Sequence, residues 1–343
     1  MPLEDATIGM IAIGIGGISN GSFPAPSKRI SRWKWEHIWV IYSFCAMGLL
    51  PISIAAFYNH GLILSILRNN VTTATKVSGF GLLFGLGSVL FGISLVRLGI
   101  AITNALVSGV IIFLGSLGPL MIGTAHIDFR HLVWLISGLA LLVVSLAFCA
   151  GASLSRDRVR SPSSTGFQSV AAPFIAVFIA VAAGTLSSFL NVGFAFGTGL
   201  ALAAKSQGCP SQLAALTIWV PALFGGLILN MGYPIYLLLR DKSWSLLFEG
   251  SHCGGYWLRS ALMGFLWFSA ILLYGYGASM MGSTGPVYGW ALGSGSSILT
   301  SNTWGAIAGE WKGSGLRPKF LMLLSTALLL GSFVVLALKR APS

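Results

Sequence analysis

The chain carries eight Asp and Glu and five His, few enough to place each one. Glu4 and Asp5 precede the first apolar run, and Asp128, Asp157, Asp241 and Glu249 fall in connections between runs. Glu36 opens the second run and Glu310 closes the ninth. His37, His60, His126, His131 and His252 also lie at run edges. A carboxyl at mid-membrane is the default proton carrier, and no run has one at its centre. Proton coupling is therefore expected to be weak or absent, with sodium-driven or facilitated movement the alternatives, because Glu36 and Glu310, the two gate or coupling candidates, lie at the cytoplasmic edge, where hydration whenever that gate is open keeps a carboxylate ionised. No G-x-x-x-x-G-K-[ST], H-E-x-x-H or G-x-S-x-G motif occurs, so the usual apparatus for ATP use, zinc proteolysis and serine catalysis is missing. Cys45, Cys149, Cys209 and Cys253 show no zinc spacing. Free thiols, no metal and no cofactor are expected.

Uncharged polar side chains remain inside the runs: Ser19, Asn20, Ser88, Asn104, Ser187, Ser188, Asn191, Asn230 and Asn302. Amides and hydroxyls pair as donors and acceptors with the hydroxyls of a neutral sugar, and aromatic faces cover its C–H face. An organic cation would call for a buried carboxylate, and an anion for a buried Lys or Arg. Asn104, Asn191, Trp267, Tyr274, Tyr288, Trp290 and Asn302 are the expected pocket residues. Each amide has a plainer use as a hydrogen bond between helices.

The elements that hold these residues follow from composition. Of 343 residues 55% are hydrophobic and 8% charged, with mean hydropathy +0.85. A soluble domain is about 25% charged, so a soluble protein is excluded. Apolar runs at about 7–23, 37–57, 77–97, 100–122, 132–151, 170–191, 213–239, 257–278, 286–308 and 319–338 each suit one crossing of roughly 20 residues. They are continuous, whereas barrel strands alternate over about ten residues. The expected fold class is all-α integral membrane, with about ten transmembrane helices. Met1 to Asp5 lacks a basic leader, so the first run is expected to stay. Gly81 and Gly85 have helix-packing spacing. The glycine- and serine-rich stretch 285–297 is expected to interrupt its helix near a binding site.

The net charge of +12 reads as a topology signal rather than a nucleic-acid surface. Clusters at 28–34, 156–160, 240–259 and 312–319, with Arg97, occupy one side; Arg68, Lys76, Arg130, Lys205, Lys339 and Arg340 occupy the other. The richer side is expected to be cytoplasmic, with both termini outside. The polar stretch 156–169 reads as a cytoplasmic linker between halves 1–155 and 170–343. Phe84, Phe91, Gly92 and Gly99 recur as Trp267, Tyr274, Gly275 and Gly282 at a constant offset. Five helices per half would make the halves inverted repeats.

Several segments, in order, resemble the L-rhamnose/proton symporter family of the drug/metabolite transporter superfamily. They are Pro24 to Trp39 (PAPSKRISRWKWEHIW), Gly85 to Gly99 (GLGSVLFGISLVRLG), Trp267 with Tyr274 to Gly277 (YGYG), and Gly309 to Pro318 (GEWKGSGLRP). The resemblance implies ten helices in two inverted five-helix repeats, proton-driven uptake of a deoxyhexose, and a bacterial inner membrane. Where the family carries an Asp early in the ninth helix, this chain reads Thr284-Gly285-Pro286-Val287-Tyr288. The expected function is a secondary carrier for a small neutral sugar, L-rhamnose first, working by alternating access. Its rivals are an exporter or exchanger of other metabolites or drugs, a sugar-sensing receptor and, more remotely, a membrane enzyme.

Overall fold

The structure, a computed structural model, describes residues 3–98, 100–160, 173–250 and 252–338. Long helices dominate: α1 Leu3–Ser22, α2 Trp35–Phe57, α3 Val71–Leu98, α4 Ile100–Met121, α5 Phe129–Arg160, α6 Pro173–Phe196, α7 Leu216–Arg240, α8 Cys253–Met280, α9 Gly285–Ile307 and α10 Leu316–Leu338. Among the described residues nine helical stretches are long and apolar enough to cross a membrane. α9 matches them in length with 23 residues but is less apolar. The chain is an all-α integral membrane protein of about ten spanning helices. Short helices Leu62–Asn69, Thr198–Ser206 and Ser211–Ala214 fill connections.

Two helices differ from expectation. α9 is one continuous helix across the stretch expected to break. Its glycines serve close packing: a Cβ at Gly285 would lie 2.0 Å from the Ala278 oxygen, and one at Gly289 2.8 Å from the Ile13 side chain. The irregular helix is α2, where Phe44–Leu49 widens into a π-helical turn. Pro51 has no N–H, so the Met47 carbonyl loses its ordinary helical donor, and the ladder shifts so that Leu50 N–H donates to Cys45. α5 runs on through residues 156–160, and the rest of the expected linker lies outside the described residues.

The helices pack in matched pairs. α3 lies along α6 and α1 along α8; α6 also lies on α4, as α1 does on α9. α7 packs on α3, as α2 does on α8, and α5 pairs with α10 at one side. α4 rests along α5, whereas α9 and α10 touch more sparsely. Glycine allows the tightest crossings. A Cβ at Gly81 would stand 1.8 Å from the Ala222 oxygen, and one at Gly225 2.0 Å from the Ser78 oxygen; α3 and α7 therefore meet backbone to backbone.

One end of the bundle collects the basic turns. Glu310 joins Lys28 at 2.7 Å and Arg156 at 3.1 Å, and the Arg156 guanidinium lies 5.1 Å from the Trp311 ring centre. Lys34 reaches Asp241 at 3.5 Å. Chain segments distant in sequence thus meet at a single basic end.

Candidate functional site

A cavity of about 360 Å³ occupies the centre, walled by residues of every long helix except α5 and α10. That volume is at the small end of ligand pockets, which run roughly 300–1,000 Å³. Among the described residues, no Asp, Glu, Lys, Arg or His lines it. Polar atoms come instead from Asn20, Ser88, Asn104, Ser108, Ser187, Asn230, Ser294 and Ser297, beside the aromatic rings of Trp39, Tyr42, Phe84, Trp267, Tyr274 and Trp290. Asn104 and Ser108, one turn apart, give α4 a polar stripe facing the cavity.

Some of these polar groups are engaged and some are not. Asn20 donates to Ser297 Oγ at 2.9 Å, and Asn230 receives the Trp39 indole N–H at 3.4 Å while donating to the Gly226 carbonyl. Asn104, Ser108, Ser187 and Ser294 have no side-chain hydrogen bond among the described residues. The rings form a continuous wall: Phe84 stacks near Trp267 with centres 6.4 Å apart, and Tyr42 meets Trp267 edge-on at 6.2 Å.

Towards the basic end the lining includes Asn20, Phe23 and Asn104. Asn104, one turn into α4, is exposed. Towards the α8–α9 turn the cavity closes on Tyr274 and Trp290, whose rings lie 5.3 Å apart. Behind Tyr274, Phe194 stacks on Trp219 at 4.7 Å, and Trp219 is wholly buried. This aromatic plug seals that end.

Asn191 holds the plug. It is wholly buried, its amide donates to the Gly115 carbonyl at 2.7 Å and the Pro286 carbonyl at 2.9 Å, and its oxygen receives the Tyr274 hydroxyl. The need for it is written in α4. Pro119 has no N–H, so the carbonyl one turn earlier, Gly115, lacks its helical donor, and Asn191 supplies one from α6. Gly115 also makes room for Trp290, whose Nε1 would lie 2.4 Å from a Cβ there.

The expected pocket residues therefore divide. Asn104, Trp267, Tyr274 and Trp290 share the cavity wall. Asn191 stands behind Tyr274 in the helix junction. Tyr288 is buried on α9 outside the lining, and Asn302 lies in a separate recess between α9 and α10. Sequence reasoning did not name Trp39, Tyr42, Phe84, Ser108 and Ser294 among its pocket residues. The i, i+4 step from Asn104 to Ser108 was the one available signal.

Glu36 and Glu310 also differ. Glu310 is 37% exposed at its side chain, and the Lys28 ammonium and Arg156 guanidinium hold its carboxyl below its ordinary value. Glu36 is 4% exposed, in the first turn of α2. Among the described residues it joins none of the ion pairs. Weak proton coupling was expected from hydration of both groups at the membrane edge; in this conformation Glu36 is shielded from solvent and Glu310 is partly exposed.

The sequence profile of L-rhamnose-proton symport protein (RhaT) matches residues 3–340. Curated relatives named L-rhamnose-proton symporter include one from Salmonella typhi, 23% identical over 333 residues, covering 94% of this chain and 95% of its own. Another, from Pectobacterium atrosepticum, is 23% identical over 323 residues, covering 92% and 93%. A solved crystal structure matches across 100% of both chains with TM-score 0.57 and 17% identity, a likeness of fold alone. The profile match spans nearly every described residue, and the chain belongs to the L-rhamnose-proton symport protein family.

Proposed function

We propose that this protein carries a small neutral sugar, with L-rhamnose the first candidate, across a bacterial inner membrane by alternating access. The observation that carries this reading is a cavity with unengaged amide and hydroxyl groups, aromatic walls and, among the described residues, no charged lining residue. A sugar gives up hydrogen bonds to water on entry and regains them from Asn104, Ser108, Ser187 and Ser294. Its apolar face rests on Trp267, Tyr274 or Trp290. A 6-deoxy sugar adds a methyl group, which the Phe84, Phe91 and Ile271 side of the lining accepts. The family membership supports the same substrate class.

The matched packing of helices five apart in number supports a pair of inverted five-helix repeats. With the basic end cytoplasmic and both termini outside, the cavity faces inwards and the Tyr274–Asn191 plug is the outer gate. Proton coupling, named in the relatives, is assigned to Glu36. Glu36 is buried and joins no ion pair among the described residues, and Trp39, which lines the cavity, is less than one turn further along α2.

The test is uptake of radiolabelled L-rhamnose into proteoliposomes under an inward pH gradient. Concentrative uptake abolished by a proton ionophore, and lost in Glu36→Gln while sugar counterflow persists, is expected. Counterflow with no response to the pH gradient would remove the coupling assignment and keep the carrier. Exchange or efflux of other metabolites without rhamnose uptake favours the exporter.

A further inference from the structure

A second recess of about 520 Å³ lies between α9 and α10 at the basic end. Leu299, Ala306, Met322 and Leu323 form its walls, and Trp311, Lys312 and Lys319 form its mouth. We propose that it is a binding site for an anionic glycerophospholipid. One acyl chain would lie between the two helices and the phosphate would meet Lys319 and Lys312.

Three observations converge. The first is packing. α4 rests along α5, but α9 and α10, the pair five further on, touch sparsely and leave a gap of this size. The second is charge. The turn and the start of α10 carry Lys312, Arg317 and Lys319 against one carboxylate, Glu310, which Lys28 and Arg156 already occupy. Among the described residues neither Arg317 nor Lys319 has an ion-pair partner, so the mouth holds positive charge that a phosphate would balance. The third is surroundings. Ile307, Leu316, Phe320 and Leu323 are 64–87% exposed around the mouth, an apolar surface that in a membrane faces acyl chains. A Trp beside cations at the end of a span is the arrangement expected at headgroup level.

Free phosphate is the weaker occupant, because the walls below the lysines are apolar and the recess reaches Thr326, more than two turns into α10. Among the described residues polar character below the mouth is limited to Asn302, Thr303 and Thr326; the two threonine hydroxyls already donate to carbonyls of their own helices. The site would act on transport through α9. One face of this helix lines the central cavity at Trp290, Ser294 and Ser297, and the other lines the recess at Leu299, Asn302 and Ala306. A lipid wedged behind α9 biases the position of the cavity wall. This proposal stands apart from the choice of transported sugar.

The experiment is native mass spectrometry and thermal unfolding of the full-length protein in detergent, titrated with dioleoyl phosphatidylglycerol, dioleoyl phosphatidylcholine or glycerol 3-phosphate. Phosphatidylglycerol is expected to bind and raise the melting temperature more than phosphatidylcholine, and glycerol 3-phosphate to do neither. Each of Lys312→Gln, Arg317→Gln and Lys319→Gln should weaken phosphatidylglycerol binding roughly fivefold. Arg68→Gln and Arg130→Gln, at the other end, should leave it unchanged. Ala306→Leu, which fills the recess and keeps every charge, should also displace the lipid, so a folding defect in the charge variants does not shield the idea. Equal binding of the two phospholipids, or phosphatidylglycerol binding indifferent to both the charge variants and Ala306→Leu, overturns it. A response to glycerol 3-phosphate equal to that of the lipid overturns the acyl-chain part and leaves an anion site.

Discussion

Asn104 and Asn191 are the same residue type inside two apolar helices, yet their chemistry separates cleanly. Asn104 faces the cavity with no side-chain hydrogen bond among the described residues, so its amide is free to meet a ligand. Asn104→Ala should weaken sugar binding by roughly three- to tenfold and leave the melting temperature nearly unchanged; ligand-induced tryptophan fluorescence measures the first and thermal unfolding the second. Asn191 already uses both amide hydrogens and its oxygen. Asn191→Ala strands the Gly115 carbonyl in a buried site and leaves the Tyr274 hydroxyl only a 3.5 Å contact with the Pro286 carbonyl, at roughly 1–3 kcal/mol for a group left unpaired. The melting temperature should fall, and the α8–α9 end should become reactive to a membrane-impermeant thiol reagent at a cysteine placed at Thr284. Protection equal to that of the parent protein would mean that the plug closes without this amide. Nothing in the local sequence separates the two asparagines. The deciding fact for Asn191 is a proline on a different helix, and its meaning depends on which helices meet.

At the level of the helix, Pro119 and Asn191 form one unit although they belong to α4 and α6. Restoring the missing N–H by Pro119→Ala gives the Gly115 carbonyl a partner within its own helix. Asn191→Ala should therefore cost less in that background, by roughly 1 kcal/mol or more, in a double-mutant cycle read by chemical unfolding in detergent. Strict additivity would show that Asn191 is not serving the carbonyl freed by the proline. The number and order of the long helices were legible because a bilayer demands about 20 apolar residues per crossing. Their ends were less so. α3 begins at Val71, ahead of the apolar run, because Thr72, Thr73 and Lys76 satisfy their own backbones in helix whatever their polarity. The same limit misled the reading of α9, where glycines that cost helix propensity are retained by contact with Ile13 and Ala278. The π-helical turn in α2 had a local signal in Pro51, but a proline alone does not say whether a helix kinks, breaks or widens.

The whole molecule is polarised. One end carries most of the basic residues and the ion pairs of Glu310. If that end is cytoplasmic, a reporter fused after residue 343 should be active only outside the cell, and a cytoplasmic reporter signal there would invert the orientation. The Glu310 clasp also sets a pH dependence. Its carboxyl is held below the ordinary value of 4.5 by Lys28 and Arg156, so its contribution is complete above that value and is lost as pH falls through the lowered one. The side chain is 37% exposed, so solvent screens the pair and the contribution is about 1 kcal/mol or less. Melting curves from neutral to acid pH should show a small drop at the acid end that Glu310→Gln removes. The clasp joins the α1–α2 turn, the end of α5 and the α9–α10 turn, and a charge count along the chain does not reveal which of these meet.

The composition of α9 has a consequence for how the protein is made. Ser294, Ser296, Ser297, Thr300, Ser301, Asn302 and Thr303 crowd one half of it, so as a lone nascent segment it would leave the translocation channel for lipid reluctantly. It is followed closely by α10, which is strongly apolar, and preceded by α1 and α8, whose surfaces fit it. Integration should thus be cooperative, with α9 delayed at the channel until α10 emerges and the pair enters as a hairpin. A ribosome-bound chain stopped after Ile307 should leave α9 accessible to aqueous probes, and one extended past Leu338 should bury it.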